Sequence, residues 1–173
     1  MSSGLVFIHH APASLLAHVE WTISGVSGTS KSISWSRSNF DQIGFQAVAS
    51  WSGPEDGGAV LAASFMNLKQ IIFEVTQDSE SSGYRWSYTP TLGMFQAATD
   101  AAGNLLIGEN QLRSAMERAG SNPLKLQSEL RRLLGQAFDD ELEIYRENNL
   151  AGSEGNDGVM STEAKRVTYS KQV

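Results

Sequence analysis

Two hydrophobic periods alternate along this chain. Leu5-Val6-Phe7-Ile8 is an unbroken apolar run ending at His9-His10, the pattern of a strand buried on both faces. Pro12 suits the first turn of a helix in which Leu15, Leu16, Val19 and Ile23 recur at helical spacing until Gly25 and Gly28 stop it. Period two returns at 33–37 and 45–51, and the turn chemistry at 39–44 joins these into an antiparallel hairpin. After Ser52-Gly53-Pro54, Asp56 is placed to cap a second helix with Leu61, Ala62, Phe65 and Leu68 on one face, and 71–76 reads as another strand. The order strand, helix, strand, strand, helix, strand predicts an α+β fold: an antiparallel ferredoxin-like sheet with both helices on one face.

The sheet then grows. Tyr84-Arg85-Trp86-Ser87-Tyr88 alternates aromatic and polar residues, and 94–99 turns at 100–104 into Leu105-Leu106-Ile107, a further hairpin. Leu112, Ala115, Met116 and Ala119 mark a helix. A second starts at Ser121-Asn122-Pro123 and ends at Gly135, and a short third starts near Asp139. These C-terminal helices are expected to cover the sheet face left open by the first two. The stretch 151–158 is polar and Gly-rich, which gives one domain over 1–150 and a flexible segment over 151–173, with Val167-Thr168-Tyr169 docking back as a short strand.

Composition narrows the function. The 173 residues carry 19 acids against 13 bases, a net charge of -6, and no cysteine. Without clustered Lys and Arg there is no counterion-displacing surface, so nucleic acid is not an expected partner. No apolar run is long enough to cross a bilayer, no signal peptide is apparent, and the cysteine count suits the cytoplasm, where the protein is expected to reside. No cofactor motif is present: Gly57-Gly58 lacks the lysine and spacing of a phosphate loop, and no serine sits in a nucleophile elbow.

Val6-Phe7-Ile8-His9 with Ala11-Pro12, His18-Val19-Glu20-Trp21, Phe73-Glu74-Val75-Thr76, Tyr84 to Ser87 followed by Thr89-Pro90 and Leu92-Gly93, and Asp139-Asp140-Glu141-Leu142-Glu143 with Arg146 together resemble an uncharacterised actinobacterial family, domain of unknown function 3145. The resemblance spans most of 5–147. It implies an accessory role near fatty-acid chain elongation and assigns no activity. The Gly-rich stretch after 150 departs from the family pattern.

Three groups of residues are candidates for function. His9 and His18 with Glu20 could hold a metal or serve a small enzyme, although His18 and Glu20 lie two apart and so project from different sides of a helix; the bland reading of His9 is a strand-end histidine bonded to backbone. Trp21 falls nearly opposite the apolar stripe of the first helix, so its indole either packs under another part of the chain or stands exposed as an anchor for a partner. Asp139, Asp140, Glu141 and Glu143 crowd four carboxylates into five positions, with Arg146 at i+3 from Glu143 for a surface pair; they could collect a divalent cation, offer paired acid/base groups or meet a basic partner, but best suit the first turn of a helix. The leading expectation is a non-catalytic accessory protein that binds a protein or small metabolite, self-association into a homodimer included. The rival is an enzyme built on His9, His18 and Glu20.

Overall fold

The computed structural model describes residues 1–30, 32–38, 43–78 and 82–151. It is a mixed α/β domain with a seven-stranded antiparallel sheet and five helices. The elements are β1 (Ser2–Ala11), α1 (Leu16–Ser27), β2 (Ser36–Arg37), β3 (Phe45–Gly53), α2 (Gly57–Leu68), β4 (Ile72–Asp78), β5 (Ser82–Thr89), β6 (Gly93–Asp100), β7 (Leu105–Leu106), α3 (Glu109–Ala119), α4 (Pro123–Leu133) and α5 (Gln136–Ala151). The strand order is β2-β3-β1-β4-β5-β6-β7. The expected turn at 39–42, the Gly-rich segment beyond 151 and the strand at 167–169 lie outside the described residues.

The apolar run in β1 feeds both faces of the sheet. Val6 and Ile8 enter the main core with Val19 and Ile23 of α1, Leu61 and Phe65 of α2, and Phe73, Val75 and Trp86 of the neighbouring strands. Phe7 and His9 point to the other face, and both are buried. A register shift between Ile8 and Ala11 puts an extra residue into β1, so Ala11 returns to the core side although it is three positions from Ile8. Gly4 allows close packing in the same strand: a Cβ there would collide with the Thr76 carbonyl, which accepts a hydrogen bond from Trp51 Nε1 at 3.0 Å.

The structure corrects several local expectations. The first hairpin strand shrinks to Ser36–Arg37 because Ile33 turns into the core and the Trp35 indole donates to Glu20 Oε1 at 2.9 Å, which takes both side chains away from a ladder. Pro12 is extended and precedes a single 3-10 turn; α1 starts at Leu16, passes through Gly25 and stops at Gly28, whose φ of 67° is the left-handed conformation glycine tolerates. Asp56 makes no side-chain cap. Its role falls to Gln77 on β4, whose Oε1 accepts from Gly58 N at 3.0 Å. α5 starts at Gln136 and runs 16 residues, so it is not short.

α5 covers part of the second sheet face. Phe138 packs on Phe95 of β6 with ring centroids 5.5 Å apart, Leu142 is fully buried, and Tyr145 faces His9 of β1. The helix therefore crosses the sheet from β6 towards β1. α3 and α4 pack chiefly on each other and, through α4, on α5.

Candidate functional site

Glu74 stands at the centre of the second face. It alternates with Ile72 and Thr76 on that side of β4, and antiparallel register sets it beside Phe7 of β1 and Ser87 of β5. Its side chain is only 1% exposed, and a carboxylate so deep must be fully partnered. Oε1 accepts from Arg85 Nη2 at 2.8 Å, Arg85 Nε at 3.2 Å, Ser87 Oγ at 3.2 Å and Arg146 Nη2 at 2.6 Å. Oε2 accepts from Arg146 Nε at 3.1 Å and His9 Nε2 at 2.9 Å.

Asp139, from the first turn of α5, balances the second guanidinium. Its Oδ1 accepts from Arg85 Nη2 at 2.6 Å and from Arg146 Nη1 and Nη2, each at 3.1 Å. Two carboxylates thus meet two guanidiniums and the cluster is formally neutral. Burial by itself would raise the Glu74 carboxyl, but the His9 hydrogen bond and the charges of Arg85 and Arg146 outweigh it and hold the group well below the usual carboxylate range. Burial opposes the charge of Arg146 as well, and Glu74 and Asp139 more than restore it, so its pKa is raised. Because Glu74 is ionised and can only accept, His9 Nε2 carries the proton; the buried His9 Nδ1 has no hydrogen-bond partner among the described residues.

This arrangement fastens α5 to the sheet. Arg146 keeps the i+3 ion pair with Glu143 only as a long contact of 3.9 Å; it is 8% exposed and its main bonds go to Glu74 and Asp139. Asp139 is an internal member of the cluster, whereas Asp140 is exposed and Glu141 half-buried. His9 bonds a carboxylate instead of neighbouring backbone. Nor does it meet His18 and Glu20: those lie on α1, across the sheet, where Glu20 holds Trp35 and the His18 ring lies 5.5 Å from Trp21. No group of three or more metal-ligating side chains occurs among the described residues.

Three open surfaces lie outside this cluster. Beside α5, the second face holds a depression of about 240 Å³ whose lining includes Leu5, Phe7, Thr76, Asp78, Arg85 and Thr99. On the outer side of α1, Trp21 is 70% exposed, as its helical position requires. The α3–α4 hairpin adds Met116 at 63% and Leu124 at 76% exposure, while Leu126, Leu130 and Leu133 of α4 are half-buried. Leu134, which periodicity also places on this helix, is exposed. Glu74 and Arg85 were missed, and a signal existed: an acid amid the apolar strand 71–75 has to find a cation.

The fold and the cluster define a mixed α/β domain whose helix α5 is held to the sheet by an ion-pair network. The chain belongs to the family described as protein of unknown function (DUF3145), whose model matches residues 5–156. No curated protein and no solved structure matches it. No helix among the described residues is long and apolar enough to cross a membrane.

Proposed function

We propose that this protein is a cytoplasmic accessory protein that works by binding another protein, and that its α3–α4 hairpin is the contact surface. One observation carries this reading: the hairpin leaves large apolar side chains in water, Leu124 of α4 at 76% and Met116 of α3 at 63% exposure. Large apolar side chains left in water on one hairpin suit a partner that covers them. A small metabolite is the weaker ligand, because the depression beside α5, about 240 Å³, falls short of the ~300–1,000 Å³ of usual ligand pockets, and the one of about 330 Å³ between α3 and α4 is an open hollow lined mainly by polar residues. The strand order β2-β3-β1-β4, with α1 and α2 on one face, supports a ferredoxin-like unit as the scaffold. A place beside fatty-acid chain elongation rests on the family resemblance, and the acidic net charge favours an enzyme partner over an acyl carrier, which is itself acidic.

The test is affinity for a protein captured from the native lysate with the full chain as bait. A Met116→Ser, Leu124→Ser double variant should bind at least about 30-fold more weakly, the scale of a buried hot spot, without a lower melting temperature. Unchanged affinity overturns the reading. The exposure of Trp21 favours a second reading, in which α1 is the contact face; a loss confined to Trp21→Ala would select it.

A further inference from the structure

We infer that the outer face of the α1–α2 layer is a self-association surface that takes a second copy of this chain. This goes beyond the partner surface on the α3–α4 hairpin, which other elements build. α1 and α2 have 12 residues each, and between them a single Asp, Glu, Lys or Arg, which is Glu20. That carboxylate is turned in to accept from the Trp35 indole. By contrast, α3, α4 and α5 hold 14 such residues in their 11, 11 and 16 positions. The outer face of a surface helix ordinarily carries charge, whereas the core of an interface is depleted of Lys, Glu and Asp and enriched in Trp and Met. On this layer Trp21, Val60 and Met66 are exposed, and Glu55, Asp56 and Lys69 stand at the ends of α2 as a polar rim.

Two features select a second copy as the occupant. A two-fold contact sets a surface against itself, so every charge on it would meet its like, and this face offers no carboxylate, ammonium or guanidinium to oppose the approach. The face also carries its own knob and hole. Gly25 lies one turn after Trp21 on the same exposed stripe of α1. It is interior to the helix, has no positive φ, and a Cβ there would meet nothing within 4 Å. Neither the backbone nor packing within the domain therefore calls for glycine, which a helix interior disfavours against alanine.

A close approach from outside supplies the reason. In an antiparallel pair of α1 helices with the two-fold axis between positions 21 and 25, the Trp21 indole of one copy lies over the partner's Gly25, and the reverse contact is made by symmetry. The bare backbone at Gly25 leaves room for the ring. Two helices about 18 Å long, side by side at ~10 Å each, give a footprint of about 360 Å² per copy, which is small beside the ~800 Å² of a standard interface. The dimer is therefore weak and depends on concentration in the micromolar range.

Sedimentation equilibrium of the purified full chain, with no other protein present, tests this over about 1–300 µM, where it should pass from monomer towards dimer. Trp21→Ala and Gly25→Glu should each raise the dimer dissociation constant at least about tenfold while the far-UV circular dichroism stays that of the wild type, since both positions are exposed. An equimolar mixture of Gly25→Glu and Gly25→Lys chains should recover a dimer that neither forms alone, because across the two-fold axis each charge meets its opposite. The Met116→Ser, Leu124→Ser variant should dimerise as the wild type does, which separates this surface from the hairpin. A chain still monomeric at the highest concentration, a single variant that dimerises like the wild type, a mixture that stays monomeric, or a dimer lost in the Met116→Ser, Leu124→Ser variant would each overturn the proposal. If Trp21→Ala fails to fold, the mixture of Gly25 variants decides.

Discussion

Replacing Glu74 with glutamine probes the tie between α5 and the sheet with almost no change in shape. The substitution removes one of two carboxylates from a cluster that holds two guanidiniums, leaving Arg85 and Arg146 to share Asp139. Arg146 is 8% exposed and cannot turn to water without pulling α5 off the face. Removing one partner from such a buried pair costs about 3–5 kcal/mol. For a chain of this length that is roughly a 6–20 °C fall in melting temperature. Urea unfolding at pH 7 measures it as a lower midpoint at unchanged slope. A paired Glu74→Met, Arg146→Met variant should lose less, because Arg85 and Asp139 remain as a balanced pair; His9 and Ser87, which lose their acceptor, leave a deficit of about 1–3 kcal/mol. A single variant that loses under about 1 kcal/mol, or a paired variant less stable than the single one, would refute the view that charge balance governs this cluster.

Three further outcomes follow from the same contacts. The Glu74 carboxyl is depressed by folding, so its contribution is complete above the ordinary value of 4.5 and is lost as pH falls below it towards the folded-state pKa, at up to about 1.4 kcal/mol per pH unit; Glu74→Gln should flatten that part of a urea-midpoint titration. Asp139→Ala should destabilise by about 1–3 kcal/mol because it strips an acceptor from both guanidiniums, while Asp140→Ala, at an exposed position, should stay within about 0.5 kcal/mol in the same assay. Gly4→Ala should cost more than about 3 kcal/mol or prevent folding, since the added Cβ collides with the backbone carbonyl of Thr76, and calorimetry that finds a wild-type melting temperature would show that β1 and β4 can separate freely.

The parts of the fold legible in the sequence are those where one element satisfies its own pattern. The unbroken Leu5-Val6-Phe7-Ile8 run announced two covered faces, and Trp21 opposite the stripe of α1 is exposed as its angle demands. Where a side chain finds its partner far along the chain, local pattern failed. Arg146 has Glu143 one helical turn away at 3.9 Å, yet its shortest bond goes to Glu74, 72 residues distant, because that carboxylate sits fully buried in the low-dielectric space under α5. Gln77 replaces Asp56 as the cap of α2 for a similar reason: β4 brings its amide to Gly58 across the core. His9 and His18 are nine positions apart in sequence and separated by the sheet in space, so proximity along the chain misled about proximity in the fold.

Oxidative footprinting of the complex tests the binding account most directly. Met116 is 63% exposed on α3, and its thioether reacts readily with hydroxyl radicals when open to solvent. With the captured protein bound, oxidation of Met116 should fall at least about fivefold while that of Trp21 on α1 stays unchanged, because a contact core excludes water from its anchors. Met116 as reactive in the complex as in the free protein would contradict the assignment of the α3–α4 hairpin as the partner surface.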